Sequence, residues 1–324
     1  MADRPRRLRS RPQLRNLVRE SRLDAASLLA PLFVVPGRLR REPIESLPGQ
    51  ARLSPDLVLQ EARRLTELGV GGVVLFGVPD AKDDLGRGAA DPAGPVPEAL
   101  RLLRSSDLPL VLVADVCLCE YTIHGHCGIL NGVEVDNDLS LPALADVGLA
   151  YAQAGADLVA PSAMMDGQVA AIRSRLDDSG LVQTGIMAYA CKHASAFYAP
   201  FRDAADSTPA FGDRRSYQMD PANAREAMRE MALDQAEGAD VLMVKPALTS
   251  LDLLARARMR FDLPLAAYQV SGELAMLEAA SERGWLERRP AALETLLAIR
   301  RAGADIIITY LAAEVASWLS EEQR

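Results

Sequence analysis

Residues 154–163 read AGADLVAPSA, a glycine-centred turn that runs straight into a short apolar stretch. The opening tetrapeptide recurs as EGAD at 237–240 and as AGAD at 302–305. Each copy joins a segment of helical period to an apolar run, which marks a repeated αβ unit. Working outward, the apolar runs are LLAPLFVV (28–35), GVVLFGV (72–78), LPLVLVADVC (108–117), DLVAPSA (157–163), GIMAYACK (185–192), DVLMVKP (240–246), LPLAAYQVS (263–271) and DIIITYL (305–311). They are apolar at nearly every position rather than at every second one, as strands buried on both faces must be. Helical patterns lie between them at 54–69, 141–155, 166–178, 220–238 and 289–303, several with a Ser or Asp at the start and Gly at the end. Eight βα units with no GxGxxG after the first run predict a single α/β domain, a (β/α)8 TIM barrel, rather than an open doubly wound sheet. In such a barrel the functional side chains stand at the C-terminal ends of the strands.

The 324 residues are 49% hydrophobic and 25% charged, which excludes a disordered chain and permits a large core. A net charge of -8 gives no global reason to bind nucleic acid or anionic lipid. No apolar run approaches the ~18 residues of a membrane span, so neither nucleic acid nor membrane is expected as a partner. Of four cysteines, three fall between Cys117 and Cys127, which fits thiolates used in a reducing cytoplasm better than a disulfide framework. The first 25 residues stand apart: Arg4, Arg6, Arg7, Arg9, Arg11, Arg15, Arg19 and Arg22 face only Asp3 and Glu20 among acidic residues up to Leu23. No apolar segment follows as a secretory signal requires. The stretch is Ser-poor for a transit peptide and reads as an extended N-terminal arm, residues 1–25, ahead of a catalytic barrel, residues 26–324.

The third run ends in ADVCLCEYTIHGHCG (114–128). Cys117, Cys119 and Cys127 have the donor type that zinc favours, and three protein ligands leave a fourth position for water or substrate. Asp115 precedes them, and His124 and His126 lie between. The fifth and sixth runs end in Lys192 and Lys245, at matching positions of neighbouring units. Neighbouring parallel strands are ~4.8 Å apart, so the two ammoniums emerge side by side and lower each other's proton affinity, which prepares an amine for Schiff-base chemistry. Residues 197–218 form a long connection that reads as an active-site lid. It carries Arg202, Arg214, Arg215 and Gln218, suited to gripping a carboxylate. Ser271 and Tyr310 add hydroxyls at the same rim. These residues alone leave open a one-lysine aldolase, a zinc hydrolase such as a deaminase, and a zinc-stabilised scaffold without catalysis. An aldolase leaves the cysteines unexplained, and a hydrolase leaves the second lysine unexplained.

Taken together, RPRRLR (4–9), DVCLCEYTIHGHCG (115–128), VDND (135–138), APSAMMDGQV (160–169), ACKHASAFYAPFRDAA (190–205), FGDRRSYQM (211–219), GADVLMVKP (238–246), AYQVSGE (267–273) and RAGADIIITY (301–310) resemble the porphobilinogen synthase (5-aminolevulinate dehydratase) family over nearly the whole chain. The resemblance implies a hydro-lyase of tetrapyrrole (haem) biosynthesis that condenses two molecules of 5-aminolevulinate to porphobilinogen with loss of two waters. By that analogy Lys245 forms a Schiff base with the first substrate, whose carboxylate meets Ser271 and Tyr310. Lys192 binds the second, with Arg202, Arg214 and Gln218 on its carboxylate. Asp115 and Ser162 match positions near the substrate amino group. The three cysteines imply the zinc-dependent type, with zinc polarising the second substrate. Where some members place a further Cys that helps hold a second zinc, this chain has Ser216, so no second zinc is expected. Glu230 matches the position of a regulatory magnesium, and the arm implies a homo-oligomer, commonly an octamer.

Overall fold

The computed structural model describes residues 3–323. Eight parallel strands close on themselves: β1 (Leu28–Val34), β2 (Gly72–Gly77), β3 (Val111–Val116), β4 (Leu158–Pro161), β5 (Gly185–Lys192), β6 (Val241–Lys245), β7 (Leu265–Gln269) and β8 (Ile306–Thr309). They are neighbours in chain order, and β8 returns to β1 with Leu28 opposite Ile307 and Leu29 opposite Ile308. Each parallel pair needs a crossover, which the helices supply. These are α1 (Pro55–Glu67), α2 (Pro95–Ser105), α3 (Asn137–Ala154), α4 (Gln168–Asp178), α5 (Ala224–Ala236), α6 (Leu251–Arg260), α7 (Ser271–Glu282), α8 (Arg288–Ala302) and α9 (Ala312–Gln323). Side chains of one strand face fill the barrel and those of the other pack beneath the helices, so β1, β2 and β6 are buried at every position. That two-sided burial is the cause of the continuous apolar runs.

The repeated tetrapeptide has a definite structural task at the N-terminal rim. Its glycines, Gly155, Gly238 and Gly303, take φ of 110°, 104° and 129°, a left-handed region that closes the preceding helix and that a side chain would resist. Its aspartates then reach sideways. Asp157 accepts the Leu112 N–H at 2.8 Å, Asp240 the Ile186 N–H at 2.7 Å and Asp305 the Leu265 N–H at 2.9 Å. Each therefore satisfies a donor in the first two residues of the strand before its own, in β3, β5 and β7. Arg104 of α2 binds both Asp157 and the Gly155 carbonyl, and Arg258 of α6 repeats the arrangement with Asp305 and Gly303.

Several features depart from the sequence reading. The helices α2, α6, α7 and α9 fall outside the segments that helical period picks out in the sequence, although α2 and α6 are clearly amphipathic. Two of them begin on sequences with weak helix preference, PVP at Pro95 and SGE at Ser271. Tyr310 lies one residue past the end of β8 rather than within it. A short antiparallel ribbon, Arg41–Pro43 with Ala51–Leu53, continues alongside β1. The arm carries a 3-10 turn at Pro5–Arg9 and a helical turn at Pro12–Leu17, neither with a buried residue.

The aspartate cap predicts that Asp240→Ala leaves the buried Ile186 N–H without a partner and lowers unfolding free energy by about 1–2 kcal/mol. Urea melts measure this, and the same loss is expected for Asp240→Leu because the acceptor, not side-chain size, is what matters.

Candidate active site

All the side chains of the proposed chemistry issue from the C-terminal rim. Lys192 and Lys245 are the last residues of β5 and β6 and stand directly opposite each other in the ladder. One irregularity brings this about: Leu242 pairs with Ala188 but Val244 pairs with Cys191, so β5 carries one residue more than β6 across this step. Strict alternation would put Tyr189 and Lys192 on opposite faces. The extra residue brings both inward, with the Lys192 ammonium 5.5 Å and the Lys245 ammonium 5.0 Å from the Tyr189 ring centre. Cys191 turns outward toward Glu230 and Asp252 on the helices.

Lys245 is buried in a box of aromatic rings. Its nitrogen lies 4.4 Å from the centre of Tyr268, 4.9 Å from Phe201 and 5.2 Å from Tyr198. Burial, then the charge of Lys192, pushes its amine down from an ordinary 10.5 to about 7, against the opposing pull of Asp115, Glu120 and Cys119. Lys192 donates to the Ser162 carbonyl. The Ser162 hydroxyl donates to Asp115 at 2.9 Å. Burial raises the Asp115 carboxyl, and the two lysines oppose that rise. One oxygen of Asp115, Oδ1, has no hydrogen-bond partner within the chain.

Beyond β3 the chain leaves the ladder and curls back, so that the sulfurs of Cys117, Cys119 and Cys127 lie within 4.8 Å of one another, all buried. Cys117 and Cys119 are 3.3 Å apart, and the Cys119 thiol reaches Glu120 at 3.2 Å. Burial drives the Cys117 thiol up. Hydrogen bonds from the Cys117 and Cys119 thiols push the Cys127 thiol well below its ordinary value, with Arg214 and Lys192 adding positive charge. Three convergent buried sulfurs form a donor set that fits a thiophilic metal such as zinc. His124 and His126 lie outside this set: the His124 ring pairs with the Asp84 carbonyl at 3.2 Å and accepts the His126 N–H at 3.1 Å, while the His126 ring faces Phe211 and Tyr217.

Residues 197–218 close the mouth. Phe201 and Tyr198 form part of the box around Lys245, and Ser271 ties this segment down by accepting the Phe201 N–H at 3.0 Å and donating to the Phe197 carbonyl at 3.2 Å. Tyr310 accepts from the Tyr268 hydroxyl at 3.1 Å, which leaves its own proton free. Arg214 is buried and donates to the Gly125 carbonyl at 2.8 Å. Its Nε, the Nε of Arg202 and both amide atoms of Gln218 are buried without partners in the chain. Burial and then the charge of Arg214 push the Arg202 guanidinium down. Two crowded guanidiniums and a free amide are what a carboxylate satisfies. Arg215 is exposed and pairs loosely with Asp213.

Glu230 is not at the mouth. It sits half-buried on α5, where burial, then Asp166 and Glu226, raise its carboxyl, and it lines an outer cavity of about 790 Å³ with Asp234 and Glu237. The aromatic box escaped sequence reading because Tyr189, Tyr198, Phe201 and Tyr268 look like core residues. The available signal was that three of them lie within nine residues of a strand-end lysine.

The arrangement predicts a pH dependence. Lys245 must be uncharged to attack a carbonyl, so imine trapping at this residue should rise with pH through about 7. In Lys192→Met the second-largest depressing influence is gone and the midpoint moves up, while burial keeps it below the ordinary 10.5. Rates of borohydride trapping across pH measure both.

Comparison with known proteins places this geometry in context. The family model for delta-aminolevulinic acid dehydratase matches residues 2–318. The delta-aminolevulinic acid dehydratase of Synechococcus elongatus is 50% identical over 321 residues, spanning 98% of either chain. That of Methanothermobacter thermautotrophicus is 54% identical over 314 residues, 96% of either chain. The crystal structure of the Toxoplasma gondii enzyme, described as porphobilinogen synthase in complex with its reaction product porphobilinogen, superposes with a TM-score of 0.96 at 44% identity, covering 99% of this chain and 93% of that one. A barrel with paired strand-end lysines, matched along nearly its whole length in sequence and in structure, belongs to the delta-aminolevulinic acid dehydratase family.

Proposed function

We propose that the protein condenses two molecules of 5-aminolevulinate to porphobilinogen with loss of two waters, using Lys245 and Lys192 as imine-forming amines at one barrel mouth. The observation that carries this reading is the direct cross-strand pairing of the two buried lysines beside the three-sulfur cluster. Family membership makes the protein a lyase of porphyrin biosynthesis. The rest of the site supports a division of labour between two substrates.

Neutral Lys245 attacks the ketone carbon of the first substrate; the C–N bond forms, the oxygen leaves as water and a C=N bond remains. The aromatic box excludes competing water and supports the uncharged amine. Tyr310, with its proton free, and Ser271, which also ties down the covering segment, meet the first substrate's carboxylate. Lys192 engages the second substrate, whose carboxylate satisfies the unpartnered Nε atoms of Arg202 and Arg214 and the amide of Gln218. Asp115, buried between the two lysines and steered by Ser162, is placed to hold or release a proton at Oδ1. Cys117, Cys119 and Cys127 would hold zinc, which when bound supplies a Lewis acid beside the second substrate.

Four further assignments belong to the same reading. Residues 197–218 act as the lid. Glu230 contributes to a magnesium site on the outer face. The arm, residues 1–25, with Leu8, Leu17 and Val18 exposed, packs on another copy in a homo-octamer. Four free cysteines suit the cytoplasm, and no helix among the described residues is long and apolar enough to cross a membrane.

Purified protein should form porphobilinogen from 5-aminolevulinate, stop on chelation and recover with added zinc. Activity that survives chelation overturns the zinc assignment but not the lysine chemistry. Lys245→Arg keeps the charge and loses the nucleophile; turnover should fall by at least ~1,000-fold, equivalent to about 4 kcal/mol, and the borohydride-trapped mass adduct at residue 245 should vanish. Retained turnover in that variant overturns the mechanism.

A further inference from the structure

The loop that carries the third cysteine is bound, residue by residue, to the segment that covers the site. The His124 carbonyl accepts the Ala210 N–H at 3.0 Å, and the Gly125 carbonyl accepts the Arg214 guanidinium at 2.8 Å. Gly125 lies at φ +69°, and a Cβ there would stand 2.5 Å from the Thr208 carbonyl oxygen, so the two backbones meet as closely as glycine allows. His126 forms the centre of this seam. Its ring centre is 4.9 Å from that of Phe211, its Nε2 is 3.1 Å from the Phe211 carbonyl and its Nδ1 is 3.1 Å from the Tyr217 hydroxyl. A carbonyl can only accept, so Nε2 carries the proton and, in the neutral ring, Nδ1 is the acceptor. The Tyr217 O–H must then donate to Nδ1, and the Tyr217 oxygen is free to accept the Cys127 N–H, which lies 3.4 Å away. A single directional chain thus runs from the backbone of Cys127 through Tyr217 and His126 to the backbone of Phe211.

We propose that His126 is a positioning residue, latched by Tyr217, that couples the closing of the cysteine loop around a metal to the closing of residues 208–217 over the substrate. Both ring nitrogens are engaged, so the imidazole is not offered to the metal; its part is mechanical. When the three sulfurs converge on an ion, Cys127 and its neighbour His126 are fixed, and with them the acceptor for Tyr217 and the donor for Phe211. Arg214 and Gln218, the proposed grips on the second carboxylate, lie within and just beyond the fastened segment. Metal loading and assembly of the carboxylate grip are then one event, and a metal-free enzyme should lose affinity for substrate as well as a Lewis acid. The inference rests on the three-thiolate reading of the metal site.

Hydrogen–deuterium exchange of peptides covering 208–217, with and without zinc and with zinc content measured separately, tests it. In the unaltered protein, zinc should slow exchange in this segment by at least about 10-fold. In Tyr217→Phe, which removes one hydroxyl and keeps the ring, and in His126→Phe, zinc should still bind at one ion per chain while the slowing shrinks by about 5- to 10-fold, the worth of roughly one hydrogen bond. KM for 5-aminolevulinate should rise by a similar factor in Tyr217→Phe, with kcat changing much less, a split that general destabilisation does not produce. Zinc that binds without slowing exchange overturns the coupling alone. Full slowing in Tyr217→Phe overturns the latch. Loss of zinc binding in His126→Phe, with zinc retained in Tyr217→Phe, makes the imidazole a ligand and overturns its positioning role. Failure of zinc to bind the unaltered protein overturns the thiolate reading and this inference with it.

Discussion

The constraint on which the site depends is the burial of Lys245 beside Lys192. An amine displaced from 10.5 to about 7 carries roughly 5 kcal/mol against its charged form. That cost is borne by the barrel, whose closed ladder puts the two lysines opposite each other and keeps both buried. The aromatic rings around Lys245 attract a cation, but weakly, on the order of 1–2 kcal/mol. They moderate desolvation without reversing it. The same rings exclude water from the amine, so one arrangement lowers its proton affinity and protects an imine formed there.

The rest of the mouth can be understood as charge arranged around that pair. Asp115 interacts with both lysines, Cys127 with Arg214 and Lys192, and Glu120 lies against Cys119 with its carboxyl pushed up to about 7 by burial and by Asp115. Positive and negative groups alternate through a buried volume, which keeps each desolvation cost tolerable. Arg202 and Arg214 lie close together without a carboxylate of the chain between them. Their mutual repulsion is a cost that a carboxylate entering between them would remove, and binding would gain by that amount.

Much of this was legible in the sequence, and the limits follow from physics. The eight strands declared themselves because two-sided burial imposes continuous apolar runs, and the three cysteines and two lysines stood out because charged or metal-seeking groups are rare next to such runs. The aromatic box was hidden because Tyr189 obeys the composition of a core strand. Its inward direction depends on one extra residue in β5, and a bulge leaves no mark in composition. The Ser271 hydroxyl is bonded in both directions to the backbone of residues 197 and 201, and a serine at a helix start does not reveal those partners in sequence. The helices α2 and α7 were obscured by Pro and Gly in their first turns, where the helix tolerates them and periodicity does not register them.

The two rims of the barrel also divide the labour along the chain. At the N-terminal rim the same tetrapeptide is used three times, because capping β3, β5 and β7 poses the same problem each time: end a helix with a left-handed glycine and give the neighbouring strand an acceptor. At the C-terminal rim the ends of those strands lead into a cysteine loop, a lysine and a serine that tethers the cover, and no two are alike. The cap is independent of what stands at the other end, since it fixes only where each strand starts. Between β5 and β6 the register then shifts once, at the extra residue of β5, before it reaches the lysine pair. A slip of one residue between β5 and β6 would turn one amine to the outside, so the opposition of Lys192 and Lys245 depends both on the register set at the far rim, where Ile186 donates to Asp240, and on the extra residue of β5 that follows.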